Sequence, residues 1–204
     1  MRLVWTAICL AITLCLAMAA EQEQKAEVAV GKAEALEQKA ATSGSDGPSP
    51  RSEAITPSEV QAVDPAGAEP LDDAITCLAR TIYWEAKGAA ASDMEAVANV
   101  VMNRLGKDGF GNTVCGVVKQ GSEQRTCQFS WWCDGRSDQV QEDARYEVAK
   151  EVARKALNRQ LRDRTRGALY FHDRNVSPNW AAEYIKTAET GKFLFYKPRD
   201  GALR

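Results

Sequence analysis

The chain has 204 residues, with 26 Lys and Arg against 28 Asp and Glu, for a formal net charge of −2. The first 70 residues carry 5 basic and 10 acidic side chains and the remaining 134 carry 21 and 18, so an acidic leader precedes a mildly basic domain. Such a small positive balance excludes the concentrated basic stripe of a nucleic-acid binder and is compatible with an anionic polymer outside the cell or with plain solubility.

Arg2, the apolar run from Leu3 to Leu16 and the small residues Ala17-Met18-Ala19 predict a secretory signal peptide over 1–19. That run is short for a membrane span and no later stretch is longer, so no stable membrane insertion is expected after signal removal. Export to the periplasm or the extracellular envelope follows. Cys9 and Cys15 leave with the signal, and Cys77, Cys115, Cys127 and Cys133 remain. An even number of cysteines in an exported chain predicts two disulfides, with three pairings open. Zinc is disfavoured because no two cysteines stand at ligand spacing and His172 is the sole histidine. No metal or other cofactor is expected.

Residues 20–36 repeat Ala, Glu, Gln and Lys, and 42–70 are rich in Ser, Gly, Pro, Asp and Ala. The composition predicts a disordered acidic leader over 20–70, with no core before Leu71. The segment 71–204 is long enough for one domain with one core, read here as a monomer.

In that segment a first helix is expected from Asp72-Asp73 to Gly88, with Ile75, Leu78 and Ile82 on one face. Ser92 and Glu95 read as a capping box for a second helix over 93–105, its stripe being Met94, Val97, Ala98, Val101 and Leu105. Residues 106–112 form a loop, and 113–118 are a helical turn or a strand. Residues 121–138 read as an aromatic, cysteine-bearing loop or small hairpin. A third helix over 139–159 is expected to bury Val140, Ala144, Val148, Val152 and Ala156. Leu169–Phe171 and Phe193–Tyr196 read as short strands, and Ser177-Pro178 opens a helix carrying Trp180 and Tyr184. The class is therefore α+β and mainly helical.

Glu85 extends the apolar stripe of the first helix in its last turn, where burial and the negative end of the helix dipole both favour the protonated form. A carboxyl that keeps its proton at neutral pH is what a general acid requires. The alternative is a glutamate that reaches solvent or pairs with Arg80 or Arg104. Aromatic side chains that could stack on sugar rings are abundant, and Trp131 and Trp132, as neighbours on a strand, would point opposite ways. Serine or cysteine nucleophiles lack a base other than His172. Asp134 and Asp173 could assist a water-using reaction.

Cys77–Lys87, Ala96–Arg104, Val114–Val118, Cys127–Trp131, Tyr170–His172, Ser177–Trp180 and Gly191–Tyr196 together resemble the SleB-type cell wall hydrolases, the spore cortex-lytic enzyme family. The resemblance implies a lysozyme-like fold and cleavage of peptidoglycan between N-acetylmuramic acid and N-acetylglucosamine, usually by lytic transglycosylation. It places the family's catalytic glutamate on Glu85. Expected substrate contacts are Tyr83, Gln128, Phe129 and Ser130, together with Trp131, Trp132, His172 and Trp180. The chain departs from the family pattern at Ala89, Met94 and Phe193, where family members generally carry Glu, Gln and His. A glycan-binding module without activity is the alternative that these departures suggest.

Overall fold

A computed structural model describes residues 2–43, 47–124 and 127–199, with the backbone alone over 2–15. The apolar run of the expected signal peptide and residues 200–204 of the expected catalytic segment thus lie largely outside the described side chains. Six helices are described: α1 (Arg2–Ser43), α2 (Pro57–Ala62), α3 (Ala74–Glu85), α4 (Ala91–Arg104), α5 (Val114–Lys119) and α6 (Asp143–Leu157). Strands β1 (Tyr170–Asp173), β2 (Ile185–Glu189) and β3 (Phe193–Lys197) form an antiparallel sheet in the order β1-β3-β2. Phe171 stands opposite Phe195 in the register, and an irregularity between Lys186 and Ala188 shifts β2 along β3.

The fold is organised on α3. Ile75, Leu78 and Ile82 are fully buried, and so are Thr76, Cys77, Ala79, Arg80 and Thr81 between them. Burial on every side marks a central helix rather than a surface one. Asp73 caps it, Oδ1 accepting from the N–H groups of Ile75 and Thr76 at 2.8 and 2.9 Å. Two disulfides are present, Cys77–Cys115 tying α3 to α5 and Cys127–Cys133 closing the aromatic loop.

The core starts earlier than Leu71. Ala29, Ala33 and Leu36 of α1 are buried, as are Ile55, Val60 and Val63. Small alanine side chains let α1 approach closely without large apolar groups, and Lys32 reaches Glu59 at 2.8 Å. Glu37 of α1 accepts the N–H of Val114 at 2.7 Å, at the start of α5. Asp64 pairs with buried Arg80 at 2.8 Å and accepts the Tyr146 hydroxyl. Asn158 closes a reciprocal pair with Ile55 at 2.9 and 2.8 Å. A composition poor in large apolar residues concealed this docking, because polar side chains bonded to backbone carry much of it.

Four local readings differ from the structure. α4 starts two residues early, with Ala90 at the cap, so Ser92 lies inside the helix and no capping box forms. In α6 Val152 and Ala156 are buried as expected, but the buried face also takes in Tyr146, Ala149, Ala153 and Leu157, while Val148 is 47% exposed. Lys150 and Arg154 are buried on that face because their tips reach backbone carbonyls of residues 55, 61 and 63. Ser130–Trp132 is a 3-10 turn rather than a strand, and Asn179–Glu183 is a 3-10 turn with Pro178 at its cap.

Candidate active site

α3 delivers Glu85 and also fixes the wall beside it. Arg80 Nη1 and Trp84 Nε1 both donate to the carbonyl oxygen of Asp138, at 2.8 and 3.2 Å. The Tyr83 hydroxyl accepts the N–H of Gln141 at 3.1 Å. After Glu85 the chain leaves the helix through Gly88, whose φ of 79° is open to glycine at little cost. On the opposite side the turn between β2 and β3 is anchored by buried Asp93, which accepts from the Lys192 N–H at 2.8 Å and from the Thr190 hydroxyl. Gly191 lets that turn close, since a Cβ there would stand 3.2 Å from Asp93 Oδ2. Lys192 Nζ then donates to the backbone carbonyl of Glu85 at 2.7 Å.

These supports frame a cleft in two parts that meet at Glu85, Ser130 and Lys192. One part, about 550 Å³, is walled by Arg104, Gln128, Tyr170, His172, Trp180 and Tyr184 among others. The other, about 480 Å³, is walled by Trp84, Trp131, Asp134, Arg136 and Asp138 among others. Glu85 is half-buried, as a residue on the floor of an open cleft must be. Its carboxyl makes no ion pair or hydrogen bond among the described residues, so the pairing with Arg80 or Arg104 is not formed. Burial pushes its pKa up to about 7, against the opposing pull of Lys192 and Arg104.

His172 is held on both nitrogens: Nδ1–H donates to the Asp173 carbonyl oxygen at 2.8 Å, which leaves Nε2 to accept from the Tyr196 hydroxyl at 3.1 Å. Its ring stacks on Tyr196 and meets Trp180 edge-on. Trp180 also packs edge-on against Tyr184, with centroids 5.5 Å apart. Of the expected contacts, the structure brings Gln128, Ser130, Trp131, His172 and Trp180 to the cleft with Glu85. It leaves out three. Tyr83 and Phe129 are each 1% exposed and pack inward, and Trp132 lies outside both parts with Lys119 Nζ 5.1 Å above its ring. The 3-10 turn explains this pattern, since it buries Trp131 against the cleft and turns Trp132 aside. Arg104 and Lys192 were not singled out as site residues from sequence. The signal for Arg104 was its place at the end of an apolar stripe, where a cation needs a reason to be.

A family model described as Cell Wall Hydrolase matches residues 88–196. The chain belongs to the SleB-type cell wall hydrolase family. Its resemblance to the spore cortex-lytic enzyme of Halalkalibacterium halodurans amounts to 30% identity over 134 residues, 64% of this chain and 36% of that protein. The chain thus spans about a third of the length of that curated relative. Among solved structures, the catalytic domain of the germination-specific lytic transglycosylase SleB from Bacillus anthracis is 26% identical, with 63% of this chain and 100% of that chain covered at a TM-score of 0.50. The catalytic domain of the Bacillus cereus SleB protein is 27% identical, with 60% and 88% covered at a TM-score of 0.49. The mainly helical fold with a small three-stranded sheet is that of the SleB catalytic domain. Glu85 lies just before the matched span of the family model. Of the three departures from the family pattern, Met94 is buried in α4 and Ala89 packs on the core. Phe193 is the one that lines the cleft, where it meets Phe171 edge-on at 5.1 Å.

Proposed function

We propose that this chain is an exported enzyme that cleaves peptidoglycan glycan strands by lytic transglycosylation, with residues 1–19 as its export signal and Glu85 as general acid and base. The observation that carries this reading is a half-buried carboxyl with a pKa raised to about 7 and no partner among the described residues, where two aromatic-walled parts of one cleft meet. A glycan crossing Glu85 would place a sugar on either side. Glu85 gives its proton to the glycosidic oxygen, and the bonding pair of the broken C1–O bond leaves with that oxygen. The resulting carboxylate takes the proton of the muramyl C6 hydroxyl as that oxygen bonds to C1, closing an anhydro ring without consuming water. A single carboxyl suffices, in contrast with glycosidases that need two.

Glu85→Gln should abolish release of soluble muropeptides from purified sacculi, since an amide cannot donate the proton. Mass spectrometry of wild-type products should show anhydro-muramyl ends. Reducing ends would instead establish water as the acceptor, for which Asp134 in one part of the cleft and Asp173 in the other are the available carboxylates. Sacculus binding with no fragment released would identify a binding module.

A further inference from the structure

Arg104 is a buried cation with no carboxylate in contact among the described residues. It ends α4 with 2% of its surface exposed. Nε–H donates to the Leu169 carbonyl oxygen at 2.7 Å, and buried Nη1 has no hydrogen-bond partner among the described residues. The rings of Phe110, Phe129 and Tyr170 surround the guanidinium, with centroids 5.1, 5.1 and 5.6 Å from Cζ. Arg80 is buried to the same degree but engages Asp64 and the carbonyls of Glu69 and Asp138. An unpaired buried cation is costly, and natural folds rarely retain one without a use. Arg104 lines the same cleft as Glu85, whose carboxyl also has no hydrogen-bond or ion-pair partner among the described residues.

We propose that Arg104 is a positioning residue that holds the Glu85 carboxylate between its two proton transfers, acting across the cleft rather than through a contact pair. The proposal rests on the reading of Glu85 as acid and base. When the glycosidic oxygen takes the proton, the negative charge left on Glu85 faces the guanidinium, and it is removed when the attacking hydroxyl returns a proton. Arg104 exchanges no proton. Burial lowers its pKa only to about 10, so it stays charged throughout. Separation from the carboxyl is the useful feature. A cation in contact lowers a carboxyl pKa by about 1–3 pH units, which would strip the acid of its proton before reaction. The ring cage instead leaves burial dominant at Glu85 while the cation moderates it.

Among the described residues, the other titratable and charged groups lining the cleft with Glu85 come from the β2–β3 turn, from β1 with the turn after it, and from the aromatic loop. Lys192, in the β2–β3 turn, is fixed on the Glu85 carbonyl and is the stronger of the two cations acting on the carboxyl, Arg104 being the weaker. β1 and the turn after it bring Tyr170, His172, Asp173 and Tyr184 to one part of the cleft, and the loop brings Asp134, Arg136 and Asp138 to the other.

The test is a carbon-detected NMR titration of the Glu85 carboxyl in the whole protein, alongside the pH profile of muropeptide release. In Arg104→Gln the midpoint should rise, by less than the roughly one pH unit that a contacting cation is worth, and the alkaline limb of activity should rise with it. Arg104→Lys, which keeps the charge, should leave both near wild type. A folded Arg104→Gln with an unmoved midpoint would overturn the proposal. Should that variant not fold, the wild-type protein decides: the Arg104 guanidinium resonances should follow the Glu85 midpoint and become flat across that range in Glu85→Gln. Resonances indifferent to Glu85 in the wild type would overturn it equally. Digestion retained by Glu85→Gln would sink the acid–base reading itself, and that assay is separate from the titration.

Discussion

At the scale of the residue, Glu85 has two pH signatures, one in activity and one in stability, and both decline as pH rises through the same value. As an acid it works while protonated, so activity should fall as pH rises through about 7. A decline centred near the ordinary carboxyl value of 4.5 would contradict that assignment. The same raised pKa bears on stability. The fold favours the neutral carboxyl, so its contribution is complete below the unfolded value and is lost as pH climbs through about 7. Glu85→Gln removes that loss. We expect its melting temperature to exceed wild type by about 2–4 °C at pH 8 and to match it at pH 4. The apolar stripe of α3 made Glu85 legible in the sequence, and so did Gly88 behind it. Arg104 was harder to read, because its meaning depends on rings from the loop at Phe110, the turn at Phe129 and strand β1, which meet only in the fold.

Among the elements, the turn joining β2 to β3 has the largest leverage on the cleft. Asp93 is 2% exposed and holds both Thr190 and Lys192. Asp93→Ala should cost about 1–3 kcal/mol in urea unfolding, as the turn loses the acceptor of two donors. It should also slow muropeptide release about tenfold, since misplacing cleft groups by a fraction of an ångström weakens catalysis. Gly191→Ala should act in the same direction but less, as its Cβ would crowd the Asp93 carboxylate. β3 was readable from its run of aromatics. β2 was not, because Ile-Lys-Thr-Ala-Glu lacks alternation and lies half in solvent. The face of α6 was misread for a related reason: Tyr146, Lys150 and Arg154 enter the interior through hydrogen bonds that hydrophobic periodicity does not register.

For the molecule as a whole, the residues before Leu71 bear directly on where the catalytic unit starts. A chain starting at Leu71 would leave Arg80 buried without Asp64, and breaking a buried pair of this kind costs about 3–5 kcal/mol. It would also remove the carbonyl acceptors of Lys150 and Arg154. Such a chain should melt far below one starting at residue 20 and release little muropeptide. Similar melting of the two in calorimetry would show that the docked segment is dispensable. The helical class, two of the three strands and the two-disulfide count were readable from composition and spacing. The docking of 20–70 was not, since its alanine stripe and polar anchors resemble a solvated linker in composition.

The position of α1 has a directional consequence. It lies by Asp72 and Asp73 at one end of α3, whereas Glu85 closes the other end. The helical rise of α3 separates the two by about 18 Å. On the proposed reading of Glu85, the last turns of α1 are a handle and the carboxyl a cutting edge at opposite ends of α3. A surface or partner gripping those turns would leave the cleft at the far end of α3 uncovered by its own attachment.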